Sequence, residues 1–246
     1  MSRATKAQRR ERRKERRSRS NSMRLHKQFD QKLSGRGLQL ISYDVSYDKL
    51  DLNDEPDPAL ELLDDPQRQE LMDQLTRDPQ TAIERLRALL EKWPDSRTLS
   101  NWLAAAYSSA RDMAGAERMA RELYRRHPDY LFARLGMAQV YMERGEVEQI
   151  PILFNNTFEL KMLYPHRKVF HITEVLGFNS VMVEFLMRTD RPREARAYFD
   201  IMNRLEPDHP LTQAARRVVY GSRMLGLVKK VQRRLVRYTR SQPASG

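Results

Sequence analysis

The 246-residue sequence contains no cysteine and only nine glycines. The absence of cysteine excludes a disulfide framework, a thiolate zinc site and a cysteine nucleophile. Phosphate-binding loops and dinucleotide fingerprints need several glycines at fixed spacing, and no such motif is present. The five histidines form no His-x-x-x-His pair, so a helical zinc site is not indicated. These absences predict a protein that is not an enzyme and that binds no cofactor, metal ion or small-molecule substrate.

Long apolar runs are also missing. No stretch approaches the roughly 18 apolar residues that cross a bilayer. The charged N-terminal sequence is not followed by the apolar segment of a secretion signal, so none is expected. Hydrophobic residues make up 40% of the chain, slightly below the share in an average globular protein. We expect a cytoplasmic protein, part of which lies outside any packed core.

Charge is abundant but unevenly distributed, and the formal net charge is +12. Residues 1–36 contain 14 basic and 3 acidic side chains, and residues 211–246 contain 9 basic side chains and no acidic one. Residues 44–65, in contrast, contain 9 acidic side chains and one lysine. The segment 66–210 is neutral overall, so the positive charge belongs to the two ends of the chain.

The part of the chain before residue 66 predicts little regular structure. Residues 1–36 have almost no apolar surface to bury, which predicts a basic disordered arm. Residues 37–65 predict an extended acidic linker, because Pro56 interrupts any long helix. Within it, residues 38–46 alternate between apolar and polar in the manner of a strand. Since one strand cannot form a sheet, we expect this piece to pack in an extended form against a helical body.

From residue 66 to residue 210 the sequence becomes helical and repetitive. An alanine, a proline and a tyrosine each recur 34 residues further along the chain. The pairs are Ala82 and Ala116, Pro94 and Pro128, and Tyr107 and Tyr141. A further alanine–proline pair, Ala195 and Pro207, follows the pair Ala116 and Pro128 by 79 residues. This distance exceeds two periods of 34 by 11 residues, which predicts an insertion near 160–176. Each unit is predicted to be two antiparallel helices, with alanine at their crossing and proline after the second helix.

This pattern resembles the tetratricopeptide repeat family, whose period is about 34 residues. The best unit, 97–130, carries Leu103, Ala104, Tyr107, Ala116 and Pro128, and the other three units are degenerate. The resemblance implies an all-α fold, a short right-handed α-solenoid of helix–turn–helix repeats. It also implies a concave groove that binds a peptide or a helix of a partner protein.

The first helices of the two clearest units supply the predicted protein-binding groove. The inward-facing residues are Thr98, Asn101, Ala105, Ser108, Leu135, Gln139 and Met142. All are neutral, so a clamp for a C-terminal carboxylate is not expected. A competing interpretation is that the chain's own segment 38–62 fills part of this groove.

The basic ends predict contact with polyanions such as RNA or DNA. The residues concerned are Arg9, Arg10, Arg12, Arg13, Lys14, Arg16, Arg17, Lys229, Lys230, Arg233, Arg234 and Arg237. In the segment 211–246, an apolar stripe runs along a basic amphipathic helix through Met224, Val228, Val231, Leu235 and Tyr238. That helix has three interpretations: it caps the repeats, it lies on an anionic membrane surface or it contacts nucleic acid.

Two functions are therefore compatible with the sequence. The first is a protein–protein interaction adaptor or scaffold that uses the groove and whose basic tails bind polyanions. The alternative is an RNA-, ribosome- or DNA-associated factor in which the basic N- and C-terminal segments supply the binding. Salt dependence distinguishes the two, because phosphate contacts weaken steeply as salt rises.

Overall fold

The computed structural model describes residues 43–47, 57, 59 and 63–221. The chain divides into two compact units, Met1–Leu52 with Glu159–Ile172 and Asn53–Phe158 with Thr173–Gly246. The predicted basic arm, most of the acidic linker and the C-terminal residues after 221 lie outside the described residues.

The described residues are mainly helical, which confirms the predicted all-α character. The helices, numbered in chain order, are α1 (Asp65–Arg77), α2 (Pro79–Lys92), α3 (Arg97–Ser109), α4 (Met113–Arg126), α5 (Leu131–Arg144), α6 (Gln149–Leu153), α7 (Leu160–Leu163), α8 (Ile172–Arg188), α9 (Pro192–Leu205) and α10 (210–221). Two short strands, β1 (Asp44–Ser46) and β2 (Val169–His171), accompany them.

Helix boundaries in the second unit repeat with the spacing found in the sequence. Helices α2 and α4 begin at Pro79 and Met113, one repeat period apart. Helices α3 and α5 begin at Arg97 and Leu131, which are separated by the same period. Helices α2, α4 and α9 each contain 14 residues. The recurrence of small residues and prolines thus corresponds to a recurrence of helix starts and ends.

Aspartate side chains begin the second helix of the first two pairs at equivalent places. Asp78 accepts a hydrogen bond from the N–H of Thr81 at 3.3 Å, and Asp112 accepts one from the N–H of Gly115 at 2.8 Å. A carboxylate here satisfies a backbone donor and meets the positive end of the helix dipole. The hydrogen bonds from Thr81 lower the pKa of Asp78, because they favour its ionised form.

Consecutive helices pack against each other from α1 to α6. In addition, α1 contacts α3 and α3 contacts α5, so the first helices of neighbouring pairs lie side by side. The core of the first two pairs contains Trp102 and Tyr107 but consists mainly of alanine and branched aliphatic side chains. They include Leu71, Leu75, Ala82, Ile83, Leu86, Leu99, Leu103 and Ala106.

The ring of Tyr107 fixes the distance between α3 and α4. A Cβ atom added at Gly115 would lie 2.6 Å from Cδ1 of Tyr107 and 2.6 Å from a carboxylate oxygen of Asp112. Both distances are shorter than van der Waals contact, so this crossing requires glycine at position 115. The Tyr107 hydroxyl accepts a hydrogen bond from Nε of Arg87 at 2.9 Å, which joins the same ring to α2.

We predict that Gly115→Ala destabilises the protein by about 1–3 kcal/mol, because overpacking outweighs the better helix propensity of alanine. Gly136→Ala in α5 is the matched control, since its added Cβ would lie at 3.4 Å from Cβ of Ala120. We expect this control to be as stable as the wild type, or more stable by up to about 1 kcal/mol. Urea unfolding followed by circular dichroism compares the two, and equal stabilities would contradict the prediction.

The third helix pair loses the pattern at Ile150 and Pro151, as the sequence predicts. Helix α6 contains only five residues. Asn155 and Asn156 then adopt left-handed backbone conformations, each with φ of 54°, which a continuing helix does not allow. The pair formed by α8 and α9 restores two long helices, with Ala195 fully buried in α9.

The described part of the first unit contains β1, β2 and α7. Strand β1 pairs with β2 in parallel, with Val45 opposite Phe170. The strand character predicted for 38–46 is confirmed for β1, whereas its partner strand was not predicted. That partner comes from the insertion near 160–176, where Val169 is 48% exposed and Phe170 is fully buried. The same alternation that identifies β1 in the sequence is therefore present in β2.

Helix α10 corresponds to the start of the helix predicted from residue 211. Thr212, Ala215 and Val219 are buried on one side, and Leu211 is exposed on another. The spacing of the buried residues follows the helical period. The predicted apolar stripe of residues 224–238 lies outside the described residues.

Candidate partner-binding surface

The exposed side of α3 carries no charge. After Arg97 the helix reads TLSNWLAAAYSS, without Asp, Glu, Lys, Arg or His. Ala105 and Ser108 are exposed and Asn101 is half-buried. Helix α5, which contacts α3, adds the exposed amide of Gln139. These four residues, Asn101, Ala105, Ser108 and Gln139, are called the first-helix face below.

The other three predicted groove residues are less accessible. Thr98 and Met142 are 3% and 0% exposed, and Leu135 is half-buried. Leu135 is directed towards α8, since a Cβ atom added at Gly177 would lie 2.8 Å from its Cδ1. Helix α3 contacts α1, α2, α4 and α5, so only a narrow strip of its surface remains open. Thr98 and Met142 therefore belong to the packed interior and not to an accessible groove.

The acidic linker is joined to the helical body through Asp57. Its Oδ2 atom accepts hydrogen bonds from Oγ of Ser96 and from the N–H of Thr98, both at 3.0 Å. Oγ of Ser96 in turn accepts a hydrogen bond from the N–H of Leu99 at 3.1 Å. Two side-chain oxygens thus satisfy backbone donors at the start of α3, where a carboxylate also meets the positive end of the helix dipole.

The end of the predicted linker is part of the core. Ala59 is fully buried in the cluster that contains Leu71, Ala82 and Leu99, and Leu63 packs against the same cluster. Ala105 and Ser108 remain exposed. Of the described linker residues that belong to the second unit, Asp57 thus lies at the start of α3, and Ala59 and Leu63 lie in the core.

Charged and polar groups surround the start of α3. The guanidinium carbon of Arg97 lies 5.5 Å from the centre of the Tyr130 ring. Burial raises the pKa of the Tyr130 hydroxyl. The positive charge of Arg97 lowers this pKa, whereas the carboxylate of Asp57 raises it further. Burial lowers the pKa of His127, and the charges of Arg97 and Arg126 lower it further. The start of α3 is thus a charged corner, unlike the neutral first-helix face.

Two crevices occupy equivalent positions on successive second helices. One, of about 200 Å³, is lined by α4 residues, and the other, of about 260 Å³, is lined by α2 residues. Their lining residues correspond at the repeat spacing: Arg85 and Met119, Ala88 and Glu122, Leu89 and Leu123, and Lys92 and Arg126. Both are smaller than typical small-molecule sites of about 300–1,000 Å³. Their correspondence follows from the repeated helix packing.

The polyanion-binding residues predicted between Arg9 and Arg17 and between Lys229 and Arg237 lie outside the described residues. Within the part of the chain that is described, no three potential metal-ligating side chains come together. None of the helices in that part is long and apolar enough to span a bilayer.

Comparison of the chain with family models, with curated proteins and with solved structures finds no match. The resemblance to tetratricopeptide repeats therefore rests on the residues and helix boundaries of this chain alone.

We predict that Asp57→Ala destabilises the protein by about 1–2 kcal/mol, because it leaves helix-start donors without their carboxylate partner. Asp208→Ala, in the exposed turn after α9, serves as the matched control and should be neutral. Urea unfolding measures the difference. Amide hydrogen exchange gives a local check, since the N–H of Thr98 should lose protection in Asp57→Ala only. Unchanged protection of that amide would show that the contact is absent in solution.

We also predict a pH dependence of stability from His127. Because its pKa is lowered on folding, mainly by burial, the unfolded chain binds the proton more tightly than the folded chain. The stabilising effect of the neutral imidazole is complete above the ordinary pKa of about 6.5 and is lost as pH falls through the folded value. His127→Gln should weaken the loss of stability between about pH 7 and pH 5. His166→Gln, which removes an exposed imidazole, is the matched control, and equal effects of the two substitutions on the pH profile would contradict the prediction.

Proposed function

We propose that the second unit is a tetratricopeptide-type α-solenoid that acts as a protein–protein interaction scaffold. The observation that carries this proposal is the combined repetition of helix boundaries and contacts. Second helices begin one repeat period apart, at Pro79 and Met113, and first helices of neighbouring pairs contact each other. Side-by-side first helices form a continuous face, and such faces in helical repeat proteins bind peptides or helices.

The chemistry of the first-helix face indicates the kind of partner. Ala105 and Ser108 are small, so the backbone or side chains of a ligand can approach closely. Asn101 offers both donors and acceptors, whereas the amide nitrogen of Gln139 already donates a hydrogen bond to the carboxylate of Glu143 at 3.1 Å. The four residues of the face carry no charge of their own with which to select an acidic or a basic peptide. The partner is thus a neutral or apolar protein segment, held by van der Waals contact and hydrogen bonds, and its affinity depends weakly on salt.

A binding role without catalysis is part of this proposal. Its support is the sequence, which contains no cysteine and no phosphate-binding loop. The partner is a protein, and the scaffold needs no cofactor.

Substitution of the first-helix face tests the proposal. Ala105→Glu places a charge in the neutral strip of α3, at an exposed position where the longer side chain reaches solvent. Ala114→Glu makes the same change at an exposed position of the second helix α4 and is the matched control. Peptides selected by display against the full chain should bind the wild type and Ala114→Glu equally. They should bind Ala105→Glu at least tenfold more weakly.

The salt dependence of affinity and the comparison of the two variants decide the outcome of these titrations. Affinity for a selected peptide should change less than about threefold between roughly 50 and 200 mM salt, whereas phosphate-like contacts would lose far more. Equal binding by Ala105→Glu and Ala114→Glu would show that the first-helix face is not the binding surface.

A second candidate function is association with nucleic acid through the ends of the chain. The observation that favours it is the charge distribution, with 14 basic against 3 acidic side chains in residues 1–36 and 9 against none in 211–246. Arginine-rich segments bind phosphate groups without reading sequence. This function does not compete with the scaffold, because it uses other parts of the chain.

A further inference from the structure

Helix α10 ends the described part of the second unit and contacts the preceding helix, α9. Its residues Thr212, Ala215 and Val219 are buried and share one side of the helix. The rings of Phe199 in α9 and Tyr220 in α10 meet edge-on at a centroid distance of 5.6 Å. The orientation of α10 against α9 is therefore defined.

A second side of α10 is also apolar, but it faces outward. Leu211 and Val218 are 36% and 37% exposed, and Ala214 is exposed as well. With about 3.6 residues per turn, these three side chains lie within about 60° of one another around the helix axis. Leu211, Ala214 and Val218 are called the outer stripe of α10 below.

The outer stripe differs from the outer side of a terminal repeat, which is polar because no further repeat covers it. The charged residues of α10 are Arg216 and Arg217. Arg216 is directed towards α9, since its Nη2 atom donates a hydrogen bond to Oδ1 of Asn203 at 2.5 Å. The outer stripe itself thus carries no charge, and an additional apolar element is needed to cover it.

The sequence that follows α10 directly, residues 222–246, contains such an element. Its apolar residues are spaced alternately by four and three, and they are Met224, Val228, Val231, Leu235 and Tyr238. A straight continuation of α10 would turn this stripe about 150° away from the buried side of α10, so it would not extend the contact with α9. A reversal of the chain between the two stripes needs only two to five residues, and Gly221 and Gly226 favour one there.

We propose that residues 222–246 fold back and cover the outer stripe of α10, so that the chain supplies the cap of its own last helix pair. The apolar side of a helix over 224–238 contacts the outer stripe, and the basic side chains of that helix remain towards solvent. Direct attachment favours this occupant over a second copy of the chain, because a short connection gives the segment a local concentration in the millimolar range.

The test uses the full chain and single thiols, since the natural sequence has no cysteine. Ala214→Cys places a thiol in the middle of the outer stripe, and Ala114→Cys, at an exposed position of α4, is the matched control. Ala214→Cys should react with N-ethylmaleimide more slowly than Ala114→Cys by roughly tenfold or more, because the cap must open before the thiol reacts. Adding Leu235→Asp should restore the rate of Ala214→Cys, since a carboxylate opposes burial, and should not change that of Ala114→Cys.

A pair of thiols identifies the occupant. On mild oxidation, Ala214→Cys combined with Val231→Cys should form a disulfide within one chain, whereas Ala114→Cys combined with Val231→Cys should not. Three results would overturn the proposal: a disulfide between two chains, which assigns the outer stripe to a second copy; protection of Ala214→Cys only in the presence of phosphatidylserine vesicles, which assigns it to a membrane; and equal reaction rates of Ala214→Cys and Ala114→Cys. The first-helix face is not involved, so this proposal and the scaffold proposal fail separately.

Discussion

The close approach of α3 and α4 at Tyr107 and Gly115 is the contact on which the packing of the second unit depends. Because Gly115 has no side chain, the tyrosine ring reaches the start of α4. Because the hydroxyl of Tyr107 accepts a hydrogen bond from Arg87, the same ring is fixed relative to α2. One side chain therefore joins three helices that belong to two successive pairs. A single pair of helices cannot bury its apolar side alone, so contacts between pairs are what make a repeated arrangement stable.

The first pair of a helical repeat has no preceding pair to cover it. In this chain the end of the acidic stretch supplies part of that cover, because Ala59 and Leu63 pack into the core and Asp57 binds the start of α3. The acidic stretch is consequently not a simple spacer along its whole length. Its last residues stabilise the helical body, and they do so at the charged corner without covering the neutral first-helix face.

The two functions that we propose use different forces. The residues of the first-helix face carry no charge of their own, which favours contacts that salt hardly affects. The ends of the chain, with 14 basic against 3 acidic side chains in residues 1–36 and 9 against none in 211–246, favour electrostatic contact with phosphate. The two proposals therefore assign a protein segment and a polyanion to different residues of the chain.

The sequence by itself determined the helical class, the regular spacing of helix boundaries and the interruption at Ile150 and Pro151. These features depend on local patterns: the recurrence of apolar and small residues, and the inability of proline to continue a helix. Only the tertiary structure decided which helix positions stay exposed, why Thr98 and Met142 are buried, and that β1 pairs with a strand from a distant insertion. It also decided that Asp57 caps α3. Such features arise from contacts between residues far apart in the chain, about which periodicity along one element contains no information.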